Sequence, residues 1–271
     1  MWTYYRVYAI ILIIVTHAHN TEVPMNATYF REYGIHPVKQ PDGDGDFIAS
    51  FPTWEETAHT LKSDMPDRGN IVTPEYITAP ADFDASMRDA DAIGEHVREA
   101  ISLTKGSDAL LHLGTPTPTV NDTGSPRWFN SVLSIRNGTV ESVAHKTMLV
   151  PGEEKLGIES PDRARRLVRT GNAVLICAEL FLYALNPRNK FSDSNVRQVL
   201  APTMWAHPAI PGANLKGIQK AGGEDNYYRQ QLEQAVGSYL LRDMPSVQRV
   251  IVSDRGKSDL APYNAVFDRV K

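Results

Sequence analysis

From residue 53 onward, short apolar runs alternate with stretches whose apolar residues recur at three- and four-residue spacing. That alternation predicts strands interleaved with amphipathic helices. Thr53 to Lys62 opens with a Thr cap and carries Glu56 three residues on, a capping-box start for a helix. Asn70 to Thr73 predicts a strand running into Pro74-Glu75, Asp82 to Thr104 a helix, and Asp108 to Leu113 a strand. Phe129 to Ile135 and Val140 to His145 flank Arg136-Asn137-Gly138, an Asn-Gly hairpin signal. Ala173 to Ile176 reads as a strand entering Cys177, with a helix over Glu179 to Leu185. Gln198 to Ala201 and Val247 to Ser253 read as strands, with a helix over Asn226 to Leu241 between them. The expectation is one layered α/β domain over 53–271.

The chain ahead of that domain has a different texture. Thr21 to Asp46 is polar, contains Pro and Gly, and shows no clear period, which predicts a loop-rich segment over 21–52. Within it, Asp42-Gly43-Asp44-Gly45-Asp46 invites a calcium-loop reading. An EF-hand starting at Asp42 would need Gly and Glu where Phe47 and Thr53 stand, so the reading fails and a surface turn is expected. Val7 to Val15 is an unbroken apolar run, too short for the ~20 residues that span a bilayer. It has the length of a signal-peptide core or of a membrane-segment remnant over 1–20, with a buried strand as the alternative. It points to a membrane-associated or periplasmic place, with the cytoplasm as the alternative. His17 and His19 have a metal-like spacing but no companion ligands, and read as flanking residues.

Composition narrows the function classes. An apolar fraction of 42% and a charged fraction of 22% are those of a globular chain that can bury a core. The net charge of −4 and the absence of a basic block argue against a nucleic-acid partner. The densest positive cluster, Arg163, Arg165, Arg166 and Arg169, has helical spacing and reads as a solvated face. A single cysteine, Cys177, cannot form an internal disulfide, so its use has to come from its context.

Three strand ends each present one reactive side chain: Glu75, Lys146 and Cys177. A nucleophilic cysteine needs a base, and the anion formed by attack on a carbonyl or nitrile needs a cation or donor. A carboxylate and an ammonium supply both. The neighbourhoods of the three resemble the motifs of the carbon–nitrogen hydrolase (nitrilase) superfamily, in the family's order. Ile71-Val72-Thr73-Pro74-Glu75 resembles its strand ending in Pro-Glu. Lys146, followed by Leu149-Val150-Pro151 and an acidic residue, resembles its second motif. Ile176-Cys177-Ala178-Glu179 resembles its strand into Cys with an acid two residues later. Asn130-Ser131 is similar to its Tyr-Asn-Ser segment, and Arg249 to Ser253 running into Gly256-Lys257-Ser258 is loosely similar to its closing strand. Each motif alone is weak; the ordered set, spanning Asn70 to Phe267, is specific.

The Lys146-to-Glu154 spacing and the Cys-x-Glu pair look most like the apolipoprotein N-acyltransferase and TraB-type conjugal-transfer branch. Gly152-Glu153 departs from the Phe-Gly usual there, and Ala178 stands where an aromatic residue often follows the nucleophile. The resemblance implies an α-β-β-α sandwich. It implies Glu75 as proton acceptor, Cys177 as nucleophile, and Lys146 with the backbone N–H after the cysteine as oxyanion donors. Glu154, Glu179 and Ala178 are then supporting or substrate-binding residues. A thioester follows, resolved by water in a hydrolase or by an amine in an acyltransferase; a silent module of a conjugation apparatus is the non-enzymatic alternative. No metal or cofactor is implied. The expected partner is a small-molecule or lipid acyl substrate, with a homo-oligomer left open. Trp128 and Trp205 fall near the implied substrate mouth, where plain core packing fits equally well.

Overall fold

The computed structural model describes residues 23–40, 43–80, 89–120, 124, 126–161, 168–169, 172–177, 179–180, 195–204, 215–242, 244–256 and 261–270. Several expectations lie outside the described residues: the 1–20 segment with His17 and His19, Arg163 to Arg166, Ala178, Trp205, Lys257 and Ser258, and most of the Glu179 to Leu185 helix.

Strands β1 (Met25–Phe30), β2 (Gly34–Gln40) and β3 (Gly43–Ser50) come first, then helix α1 (Trp54–Asp64) and strand β4 (Asn70–Val72). Helix α2 (Ala90–Leu103) precedes β5 (Leu110–Val120), β6 (Pro126–Arg136), β7 (Thr139–His145) and the short helix α3 (Pro151–Lys155). The second half holds β8 (Val168–Arg169), β9 (Asn172–Val174), β10 (Gln198–Thr203), α4 (Leu215–Ala221) and α5 (Glu224–Glu233). A π-helical stretch, Gln234–Leu241, continues α5 and leads to β11 (Arg249–Asp254) and β12 (Asn264–Arg269).

The strands form two six-stranded sheets, in the orders β1-β12-β11-β10-β9-β8 and β2-β3-β4-β5-β6-β7. Each has a parallel core, β9-β10-β11 in one and β3-β4-β5 in the other, extended by antiparallel strands. Alternate side chains explain why these strands read as continuous apolar runs, since both faces are covered. Ile71, Leu111, Leu113 and Ile135 face α1 and α2, packing with Trp54, Ala58, Leu61 and Ala100. Ile48, Val72 and Val132 point the other way and meet Val174, Leu200, Ile251 and Val266 of the opposite sheet. Val199, Val250 and Phe267 face outward again, under Leu232, Val236 and Leu240. Burying each such Leu, Ile or Phe contributes about 2 kcal/mol. The layers therefore run α-β-β-α, as expected.

Local signals behave as their chemistry predicts. Thr53 caps α1 by accepting from the Glu56 N–H at 3.3 Å. Asn137 and Gly138 take φ of 45° and 73° in the β6–β7 hairpin, the left-handed pair that a two-residue turn requires.

The expectation for 21–52 is corrected: the segment is built of strands. β1 and β2 are sheet edges, and β3 lies inside its sheet against β4. Nor is Asp46 part of a surface turn. It is buried on β3, where its carboxylate accepts from the Asn70 backbone and side chain (2.9 and 2.8 Å) and from Gln198 (2.8 Å). Asn70 Oδ1 in turn accepts from His112 Nε2 at 2.9 Å and from Asn172 at 3.2 Å. His112 Nδ1 meets the Ser134 hydroxyl at 3.1 Å. A buried polar belt thus ties the two sheets together at the N-terminal ends of β4, β9 and β10. No helix among the described residues is long and apolar enough to cross a membrane.

Candidate active site

At the other end of the parallel strands, the chain leaves β4, β9, β10 and β11 within one small region. The C-terminal end of β10 organises it. Cys177 N–H donates to Pro202 O at 2.9 Å, and both Glu75 N–H and Arg255 N–H donate to Thr203 O at 3.2 Å. Glu75 belongs to one sheet and Thr203 to the other, so this carbonyl fixes the two halves of the site relative to each other. Gly114 on β5 makes room for the turn that carries Glu75. A Cβ there would stand 2.1 Å from Pro74 O and 2.9 Å from Glu75 Cα.

Lys146 follows β7 directly, and its N–H donates to Asn130 O at 2.8 Å. Its ammonium is fully buried and donates to Glu75 Oε1 at 2.8 Å and to Glu153 at 2.9 Å. Asn130 Nδ2 donates to the same two carboxylates, at 2.5 and 2.6 Å. Facing two acceptors fixes the orientation of that amide, at the expense of leaving its buried Oδ1 unpaired among the described residues.

The two carboxylates differ in how far they are satisfied. Glu153 Oε1 also accepts from the Tyr76 hydroxyl at 2.7 Å, and its Oε2 accepts from Val150 N–H at 2.8 Å. Glu153 is therefore saturated with donors and suited to be a fixed anion. Glu75 has both of its bonds on Oε1, and its Oε2 has no hydrogen-bond partner among the described residues. An unengaged carboxylate oxygen is what a proton acceptor needs.

Cys177 sits where β9 gives way to a helical turn. Its φ of 46° is in the left-handed region, uncommon for a residue with a Cβ. Its N–H is held by Pro202 O, and its own carbonyl accepts from Leu180 N–H at 3.0 Å. Cys177 as a residue is partly exposed, whereas Glu75, Lys146 and Glu153 are buried. Glu179 secures this turn from both sides. Its carboxylate accepts from Ile176 N–H at 3.0 Å and from Thr147 N–H and Oγ1 at 2.8 and 2.6 Å.

One ammonium against two carboxylates leaves the cluster with an excess of negative charge, and the acidities follow. Burial pushes the Glu75 carboxyl above the ordinary carboxylate range; Lys146 and the Asn130 amide pull it back, and Glu153 adds to the rise. Burial alone would lower the Lys146 ammonium, but Glu153 and Glu75 together carry it well above its usual value. Burial and Glu75 raise the Cys177 thiol, against the opposing pull of Lys146 and a backbone hydrogen bond from Met204. The resting site thus holds a charged lysine and a neutral thiol, and ionising that thiol requires transfer to a nearby base.

The structure brings together Glu75, Lys146 and Cys177, with Glu179 bracing them. It does not bring in Glu154, which is exposed; the neighbouring Glu153 occupies the buried position instead. Pro151 is the first residue of α3, which makes Glu153 the third and turns it back onto Val150 N–H. That Pro-x-Glu helix start is the feature of the sequence that points to Glu153. Tyr76 and Arg255 carried no motif signal at all. Trp128 packs with Ile93 and Ile158, a core position. No cluster of side chains that could hold a metal occurs among the described residues.

No protein-family model matches the chain, and no curated protein matches it. Among solved structures, an amidase from Nesterenkonia sp. is similar over 93% of this chain and 91% of its own, at 11% identity and a TM-score of 0.52. A glutamate-to-glutamine variant of that amidase, carrying the acetamide moiety of fluoroacetamide covalently at its active-site cysteine, matches at the same identity and score over 93% of both chains. Saccharomyces cerevisiae Nit3, described as a member of branch 10 of the nitrilase superfamily, covers 91% of this chain and 89% of its own (12% identity, TM-score 0.49). The chain spans 40% of glutamine-dependent NAD+ synthetase from Acinetobacter baumannii (14% identity, 89% of this chain, TM-score 0.49). At such identities it is the fold that is shared, and the protein has the α-β-β-α sandwich of that amidase.

Proposed function

We propose that this protein is a thiol-dependent carbon–nitrogen hydrolase of the nitrilase superfamily, acting on an amide or related acyl compound through Cys177. The observation that carries the reading is the unequal pair of carboxylates on Lys146: Glu153 saturated, Glu75 with one oxygen open to take a proton. A covalent adduct on the cysteine of the similar amidase supports the same choice of nucleophile.

In the proposed reaction, Glu75 Oε2 accepts the Sγ–H proton as sulfur bonds to the acyl carbon. The carbonyl electron pair moves onto oxygen, where the Lys146 ammonium can balance it. As the tetrahedral species collapses, the C–N bond breaks and Glu75 returns its proton to the leaving nitrogen, giving a thioester and an amine. Water then attacks with Glu75 again as base, the C–S bond breaks, and the acid and the free thiol result. Glu153, held by its own donors, keeps Lys146 charged and in place. If an amine outcompetes water at the thioester, the same site transfers the acyl group, as the N-acyltransferase-like reading has it.

The test is to incubate the protein with short aliphatic amides and with fluoroacetamide. The amides are expected to release ammonia and leave an acyl mass on Cys177, and fluoroacetamide to leave its acetamide moiety on the sulfur as fluoride departs, all absent in Cys177→Ser. An amine added as acceptor, recovered as the acylated product, would assign transfer. A chain that gains no mass from either probe while its thiol stays free would turn the reading to a silent module.

A further inference from the structure

Arg255 is a buried arginine whose side chain, among the described residues, hydrogen-bonds only to backbone carbonyls. Its Nε donates to Pro52 O at 2.8 Å, Nη1 to Tyr76 O at 2.8 Å and Pro80 O at 3.4 Å, and Nη2 to Ala79 O at 2.7 Å. No carboxylate bonds to it among the described residues. Burial brings the guanidinium down to about 10, against the pull of Glu55 and Tyr33, so it is still a cation at neutral pH. Three of the four carbonyls belong to the turn that begins immediately after Glu75, and Tyr76 holds an unfavourable φ of 56° there. The fourth lies after β3, whose C-terminal end borders the same region.

The main chain of Arg255 completes the arrangement. Its N–H and that of Glu75 share Thr203 O, while its side chain grips the carbonyl of the next residue, Tyr76. Thr203 O, Glu75 N, Tyr76 O and Arg255 form a closed hydrogen-bonded ring with the Glu75–Tyr76 peptide as one side. From the residue just past β11, at the end of the sheet opposite that of β4, Arg255 thus fixes the direction in which Glu75 leaves its strand. A cation buried against carbonyls alone is a poor stabilising device, because an apolar residue of similar size avoids its desolvation. A rigid planar fork is, however, well suited to hold several carbonyls in one geometry.

We propose that Arg255 is a positioning residue: its guanidinium fork sets the Tyr76–Pro80 turn so that the open oxygen of Glu75 addresses Cys177. This rests on the reading of Glu75 as the base, and the two can fail separately.

The chain has one cysteine, so alkylation by iodoacetamide reports Cys177 alone. The second-order rate would be followed from pH 4 to 10 in the full chain, its Glu75→Gln variant, and Arg255→Met and Arg255→Lys. The unaltered protein is expected to show an acid limb set by Glu75, which Glu75→Gln abolishes. Arg255→Met is expected to lose on the order of 10²-fold in rate at neutral pH, the effect of a misplacement of about 1 Å, and to flatten the same limb. Arg255→Lys keeps the charge and so guards against a simple failure to fold. With fewer carbonyls in reach, it is expected to lose about tenfold with the same change of profile. If Glu75→Gln acts as stated while both Arg255 variants retain the unaltered profile, or lose thermal stability alone, the positioning role is overturned and the base survives. A profile indifferent to Glu75→Gln overturns the base itself, whatever Arg255 does.

Discussion

The Glu179 carboxylate accepts from both the backbone N–H and the hydroxyl of Thr147, at 2.8 and 2.6 Å, binding the residue after Lys146 to the cysteine turn. Its other oxygen accepts from the N–H of Ile176, the residue before Cys177. The ammonium and the thiol reach the site from different sheets, and this carboxylate ties their two segments to each other directly, beside the link that Thr203 O makes through Glu75.

Glu179→Gln should therefore be a severe change for a single-atom replacement. All three groups facing the carboxylate are donors, and an amide nitrogen turned toward any of them leaves a buried N–H or hydroxyl unpaired. The loss should be about 1–3 kcal/mol in urea unfolding. It should be accompanied by slower alkylation of Cys177 in protein that is still folded.

Glu153 and Glu154 are adjacent in sequence and opposite in consequence. Glu154→Gln at the surface should change stability by less than about 0.5 kcal/mol. Glu153→Gln removes half of a buried ion pair and should cost about 3–5 kcal/mol, read as a lower urea midpoint with the slope unchanged. Equal effects of the two would mean that the Lys146 partner is assigned wrongly.

The pair also shows what could be read from the sequence. Strands that pack on both faces, such as β4, β10 and β11, declare themselves as apolar runs, and so does the Asn137-Gly138 turn. The cysteine and its two partners are singled out by the resemblance of their neighbouring motifs, in order along the chain, to those of the carbon–nitrogen hydrolases. By contrast, β1 and β2 are edge strands with much of their surface in water, and β1 shows no alternation to detect. β3 opens with Gly and Asp because Asp46 serves the polar belt between the sheets, where burial is of hydrogen-bonding groups rather than apolar ones. Arg255 escapes notice for a related reason: its partners are carbonyls, which every residue has.

His112 makes that belt sensitive to acid. Burial lowers its pKa to about 4, with Asp46 opposing and Arg136 adding to the shift. The unfolded chain holds its imidazole near the ordinary value of 6.5, so between about pH 6.5 and 4 it binds more protons than the folded one. The contribution is complete above pH 6.5 and is lost as pH falls toward 4, on the order of 3 kcal/mol in all. His112→Gln should be less stable at neutral pH and should lack this part of the slope when urea midpoints are plotted against pH. A slope unchanged by the substitution would place the acid sensitivity in the carboxylates.

The last prediction concerns strain at Cys177. A left-handed residue with a Cβ costs roughly 1–2 kcal/mol relative to ordinary backbone, and the fold tolerates it because both flanking hydrogen bonds are made there. Cys177→Ala and Cys177→Gly each remove the thiol, so both should be inert to acylation, and their difference isolates the backbone. At an ordinary position, glycine would be the less stable by roughly 0.5–1 kcal/mol, and by somewhat more if a buried methyl is lost. At φ 46° the relief of strain offsets those losses, so Cys177→Gly should be at least as stable as Cys177→Ala in urea unfolding. A glycine variant more than about 1 kcal/mol below the alanine one would show that the cysteine sits on relaxed backbone. Its exposure to an incoming acyl group would then owe nothing to a strained turn.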